Sequence, residues 1–81
     1  MSVVIGETEI KEQLMSSNEE FRRLAAEHQA YSTQLDQLTR RTHLTEDEKI
    51  QEITLKKKKL MLKDQMYRMV QKHRRELEAS S

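Results

Sequence analysis

The stretch Leu55–Val70, LKKKKLMLKDQMYRMV, is the densest helix-forming segment of the chain. It contains no Gly, no Pro and no β-branched residue before Val70, a composition that favours an α-helix. Because successive residues of a helix turn by about 100°, the apolar residues here and just upstream fall into two stripes. A helix with two apolar stripes must pack against other helices, so this segment decides the fold.

The composition of the whole chain also favours helices. Its 81 residues include no Pro, one Gly and three aromatic residues, so most of the turn residues that a sheet requires are missing. Charged residues make up 36% and hydrophobic residues 35%, which leaves only narrow apolar stripes on each helix. We therefore predict an all-α fold that forms one domain, residues 1–81.

Apolar residues in the first half alternate by four and three positions from Ile10 to Leu38, which is the spacing of a coiled coil. A capping-box pattern at Ser17 and Glu20 argues instead for a new helix start. Two interpretations stay open: the helix continues through this point, or a short helix at 7–15 ends in a break at 16–18. We expect the first long helix to cover residues 18–42.

A second capping-box pattern, Thr45 with Glu48, predicts a second long helix at 46–79 after a turn at 43–45. Two long helices joined by so short a connection form an antiparallel helical hairpin. This arrangement would pair Leu35 with Leu55 across a coiled-coil-like seam.

One stripe of the second helix is left over once the seam is formed. It consists of Ile53, Leu60 and Tyr67, flanked by Lys56 and Lys63. Since an apolar stripe of this length is poorly solvated, we expect a second copy of the chain to cover it and form a helical bundle. The predicted function is a non-enzymatic module for protein–protein interaction or oligomerisation: a homo-oligomer, with any other protein partner unknown.

The charge distribution supports an alternative. Residues 54–75 carry nine Lys or Arg and one acid, Asp64, although the net charge of the chain is only +1. An accessory RNA- or DNA-binding protein could use these cations. The simpler interpretation is a solvated helix whose lysines pair with acids of the first helix such as Glu27 and Asp36. No aromatic residue separates the lysines, which disfavours nucleic acid. The alternative site comprises Lys56, Lys57, Lys58, Lys59, Lys63, Arg74 and Arg75.

Motifs for catalysis or cofactor binding are missing from the sequence. There is no Cys, and His28, His43 and His73 lack the spacing of a metal site. No nucleophile motif or glycine-rich phosphate loop occurs. We predict no enzyme activity, cofactor, metal or small-molecule substrate. No signal peptide or apolar run of about 20 residues is present, so we expect a cytoplasmic protein without membrane contact. His28, on the seam, could make stability depend on pH.

The segments FRRLAAEHQAYSTQLDQL, LTEDE and LKKKKLMLKDQMYRMV resemble the YdcH-like family of small bacterial proteins. The resemblance spans Phe21–Val70. It implies a helical hairpin with coiled-coil character and an uncharacterised biochemical role. The family pattern L-K-K-x-K/R-L-x-L-K-D-E is matched, with Gln65 in place of its last Glu, by Leu55, Lys56, Lys57, Lys59, Leu60, Leu62, Lys63 and Asp64.

Overall fold

The computed structural model describes residues 6–80, which form three α-helices. These are α1 (Glu7–Ser17), α2 (Glu19–Thr39) and α3 (Glu46–Ser80). No strand occurs within residues 6–80, and the predicted all-α class is confirmed. The molecule measures 56 × 21 × 17 Å, and its long axis reflects the 35-residue α3. The ends of the predicted domain, residues 1–5 and 81, lie outside the described residues.

All three helices meet in one apolar cluster. Ile10 and Leu14 of α1 pack with Phe21 of α2 and Val70 of α3, and Ile10 and Val70 are completely buried. The spacing of four between Ile10 and Leu14 puts both on the same face of α1. The short helix is therefore part of the core of the protein. Three partly buried residues of α3 complete the cluster: Met66, Met69 and Leu77.

A second apolar cluster lies at the other end of α2. Leu35 and Leu38 pack with Leu55 of α3, and Tyr31 and Leu44 cover them. The start of α2 thus packs against late α3, whereas the end of α2 packs against early α3. The two helices therefore run in opposite directions along each other.

The chain breaks between α1 and α2 at Asn18, whose backbone is extended (φ −121°, ψ 110°). The Oδ1 atom of Asn18 accepts a hydrogen bond from the backbone N–H of Phe21 at 3.0 Å, which caps the start of α2. The expected cap, Ser17, is wrong. Its hydroxyl donates to the carbonyl of Gln13 at 2.6 Å, because Ser17 is still the last residue of α1.

The connection between α2 and α3 covers residues 40–45, longer than the 43–45 expected. The last turn of α2 tightens, since the N–H of Arg41 donates to the carbonyl of Leu38, three residues back. Leu44 then folds over the adjacent apolar cluster. At the other helix ends the observed bounds differ from the expected ones by two residues or fewer.

The start of α3 is a reciprocal capping box. The N–H of Glu48 donates to Oγ1 of Thr45 at 3.1 Å, and the N–H of Thr45 donates to Oε1 of Glu48 at 3.1 Å. The other carboxylate oxygen of Glu48 pairs with Arg41. These contacts fix the path of the chain as it enters α3.

Candidate functional site

The three leftover apolar residues of α3 are exposed to solvent. Ile53, Leu60 and Tyr67 are 54%, 59% and 57% exposed, respectively. They are seven positions apart, so they follow one side of the helix as a continuous strip. We call these three residues the α3 stripe. The residues of α3 that are buried lie on a different side of it: Leu55, Leu62 and Val70.

The exposed apolar surface of the protein is concentrated on this helix. Ile50 and Met61, which are also on α3, are 63% and 62% exposed. Of the six large hydrophobic residues exposed within residues 6–80, only Met15 is outside α3. Most of the exposed large hydrophobic side chains in the described part of the chain are thus on one helix.

The four consecutive lysines do not form one patch, because successive helical positions turn by about 100°. Lys56 pairs with Glu52, one turn back, at 3.3 Å. Lys58 lies 5.7 Å from the ring centre of Tyr31, in a cation–π contact between α3 and α2. Lys59 is half-buried, whereas Lys57 and Lys63 are exposed.

The expected ion pairs between these lysines and acids of α2 are wrong. Within residues 6–80 no ion pair joins the four lysines to Glu27 or Asp36. Of the four lysines, Lys56 forms an ion pair, and its partner Glu52 is on the same helix. The two residues are four positions apart, so their side chains are neighbours on the helix surface.

The other cations of the alternative site lie further along α3. Arg75 is exposed, whereas Arg74 is half-buried, and its Nε atom is buried without a hydrogen-bond partner in the described part of the chain. The structure therefore separates these arginines from the four lysines and spreads the proposed anion-binding residues over several sides of the helix.

A groove of about 550 Å³ lies beside the α3 stripe. We call it the lysine groove, because three lysines of α3 line it: Lys56, Lys59 and Lys63. Leu60, Met66 and Tyr67 give it an apolar floor on α3. The remaining lining residues come from the other two helices: His28 and Leu35 of α2, and Glu7 and Lys11 of α1.

Sequence reasoning missed the groove itself but named five of the residues that line it: Lys56, Lys59, Leu60, Lys63 and Tyr67. The groove exists because α1 packs over only one end of the α2–α3 pair and leaves the neighbouring stretch open. The position of α1 depends on contacts between residues far apart in the sequence, and no local pattern reports them.

His28 is the titratable group of α2 that lines the lysine groove. Burial lowers the pKa of its imidazole, and the positive charges of Lys59 and Lys63 lower it further. The charges of both lysines, which are on α3, thus act on the imidazole of His28 on α2. The groove thus brings lysine side chains next to apolar ones.

Neither a metal site nor a membrane-spanning segment is found among the described residues. No group of three or more His, Cys, Asp or Glu side chains there is arranged to hold a metal ion. None of the helices in residues 6–80 combines the length and hydrophobicity needed to cross a bilayer.

A family model described as a protein of unknown function, DUF465, matches residues 21–70. These are the residues over which the sequence resembles the YdcH-like family, and the two findings are consistent. No curated protein and no solved structure gives a significant match to the chain.

Proposed function

The chain belongs to the DUF465 family of proteins of unknown function, and we propose from its own surface that it is a non-enzymatic protein-interaction module that self-associates through the α3 stripe. In this proposal the YdcH-like resemblance and the family match describe the same kind of protein. A cytoplasmic location, as expected from the sequence, is part of the proposal.

One observation carries it: α3 is apolar on two sides, and only one side is covered. Leu55 and Leu62 are buried within the chain, whereas Ile53 and Leu60 are more than half exposed. Apolar surface gains about 25 cal/mol for each Å² that is removed from water. A partner helix laid along the α3 stripe would remove such surface over several turns.

The partner we propose is a second copy of the chain. In this arrangement α2 and α3 act as a helical hairpin with coiled-coil character, and two hairpins place their α3 stripes together in a helical bundle. A two-fold axis lets the same stripe serve both copies, so no further surface is needed.

The substitution Leu60→Asp tests this proposal. It introduces a charge at the centre of the stripe without touching a buried position, so helicity should be kept while the assembly dissociates. We expect light scattering to show a multiple of 9.7 kDa for the unmodified protein and a single chain for the variant. Circular dichroism would check that the variant is folded.

Gln65→Asp is the matched control, because it makes the same change of charge at an exposed position of α3 outside the stripe. The Gln65→Asp variant should show the same assembled mass by light scattering as the unmodified protein. A single-chain mass for the unmodified protein would contradict self-association. So would a Leu60→Asp variant that keeps the assembled mass.

An accessory role in RNA or DNA binding is the second candidate, and the net charge of +8 over residues 54–75 favours it. Contacts with phosphates release counterions, so binding to a labelled single-stranded RNA should weaken steeply as salt rises. Exposed Lys57 is the residue to test, since Lys57→Gln removes one charge outside the α3 stripe. An unchanged salt dependence in this variant would speak against the role.

A further inference from the structure

We propose that the lysine groove binds an acidic amphipathic helix of a partner protein. Its apolar residues would lie on Leu60 and Tyr67, and its carboxylates would pair with Lys59 and Lys63. This inference adds the chemistry of a partner to the proposed function. It rests on that function only because self-association and helix binding use the same exposed face of α3.

The charges in the groove are complementary to an acidic partner. Lys11 is matched by Glu7 at 3.3 Å, and Lys56 by Glu52 at 3.3 Å. Within residues 6–80 no ion pair satisfies Lys59 or Lys63. Two lysines on one wall are therefore available for carboxylates supplied from outside, and they lie four positions apart, one helical turn.

The length of the groove suits a helix. Its wall on α3 runs from Lys56 to Tyr67, about 16 Å at about 1.5 Å per residue, which is three helical turns. The floor is apolar along this length, because Leu60 and Met66 alternate with the lysines. A helix that presents apolar residues at i, i+4 and i+7 fits such a surface.

The protein already contains a helix of this chemistry packed against the same pair of helices. α1 carries three glutamates, Glu7, Glu9 and Glu12, and one lysine, so it is acidic. It buries Ile10 and Leu14, which are four positions apart. Its Gln13 contacts His73 of α3, whereas its first turn, at Glu7, lines the end of the groove. The groove thus continues the surface that α1 occupies, which is why we choose an acidic helix over other partners.

Self-association and the binding of this helix would compete. Both cover Leu60 and Tyr67, so a copy whose α3 stripe is occupied by a second copy could not accept the partner helix. By mass action, the acidic helix would then shift an assembled protein towards single chains.

A designed peptide tests the inference. The probe is a fluorescein-labelled helical peptide of about 15 residues, four turns, with Leu at i, i+4 and i+7 and Glu at the flanking positions. A twin peptide replaces every Glu with Lys. We expect fluorescence anisotropy to show saturable binding of the Glu peptide, weakening with salt, and binding of the Lys peptide about tenfold weaker.

Reversing the charge of the groove should reverse the preference. Lys63→Glu should weaken the binding of the Glu peptide and strengthen the binding of the Lys peptide. A loss of folding could not strengthen the binding of either peptide. Lys57→Glu is the control, because Lys57 is exposed on α3 and does not line the groove. Equal binding of the two peptides would overturn the inference. So would a Lys57→Glu variant that weakens the Glu peptide as much as Lys63→Glu does.

The outcome separates the two proposals. If light scattering shows a single chain before any peptide is added, and this protein then binds the Glu peptide, the result supports the groove and contradicts self-association. An assembled protein that stays assembled and does not bind the Glu peptide, even at high peptide concentration, supports self-association and overturns the inference. A labelled RNA that binds more tightly than the Glu peptide, and whose binding is also weakened by Lys63→Glu, would overturn the inference as well.

Discussion

The Nε2 atom of His73 on α3 lies 3.0 Å from Oε1 of Gln13 on α1, a hydrogen bond between residues 60 positions apart. An amide oxygen can only accept, so the imidazole donates through Nε2. Gln13 directly precedes Leu14, and His73 follows Val70 by three positions; Leu14 and Val70 belong to the cluster in which α1, α2 and α3 meet. The bond therefore joins the short first helix to the long last one.

Removing either side of this bond should destabilise the docking of α1. We expect Gln13→Ala and His73→Ala each to lower the free energy of unfolding by about 0.5–1.5 kcal/mol, the usual net value of a hydrogen bond. The double variant should lose little more than one single variant, because both remove the same interaction. Urea unfolding measures all three. Strictly additive losses would contradict the coupling.

The burial of Ile10 predicts that α1 unfolds together with α2 and α3. Ile10→Ala should lower the free energy of unfolding by about 2–5 kcal/mol, because it leaves a cavity where three helices meet. The same change at Ile50, which is 63% exposed, should cost about 0.5 kcal/mol or less. Urea unfolding at one protein concentration compares the two. Equal losses would show that α1 is not part of the cooperative core.

The sequence was informative wherever a regular pattern decided the structure. Steps of four and three positions placed Phe21, Leu24, Leu35 and Leu38 on one face, and all four are buried. Leu35 and Leu55, expected to pair, lie in the same cluster. Hydrophobic burial has no preferred direction, so a periodic stripe is enough to predict which residues face the core.

Positions that depend on competition between hydrogen bonds were less predictable. Ser17 and Asn18 are both good helix caps, and the sequence favoured Ser17. The structure uses Asn18, because the hydroxyl of Ser17 bonds to the carbonyl of Gln13 within α1. The groove was missed for a different reason: its walls come from three helices, and the contact that positions α1 joins residues far apart in the chain.

The capping box at the start of α3 gives a third prediction. Thr45→Ala removes the acceptor for the N–H of Glu48 and should lower the free energy of unfolding by about 1 kcal/mol. Glu48→Gln is the matched comparison, because its amide oxygen can still accept from the N–H of Thr45 while the charge facing Arg41 is lost. Thermal unfolding followed by circular dichroism measures both.

Glu48→Gln should cost less than Thr45→Ala, since the ion pair with Arg41 involves an arginine side chain that is 57% exposed, and exposed pairs contribute little. The opposite order would mean that the contact with Arg41, and not the cap, holds the start of α3.

His28 predicts a dependence of stability on pH. Its pKa is lowered below 6.5 in the folded protein by burial and by Lys59 and Lys63, so the unfolded chain binds the proton more tightly. Unfolding therefore takes up a proton as the pH falls. The stabilisation from a neutral His28 is complete above about pH 6.5 and is lost as the pH falls below it, through the lowered pKa.

Urea unfolding between pH 8 and 5.5 measures this loss, and His28→Leu should reduce it because Leu has no proton to gain. His43→Gln serves as the control: His43 is exposed in the connection at 40–45, and this variant keeps His28 and should keep the full pH dependence. Carboxylates titrate mainly below this range, so they contribute little to the difference between the variants. Identical pH profiles for His28→Leu and the unmodified protein would mean that another group is responsible.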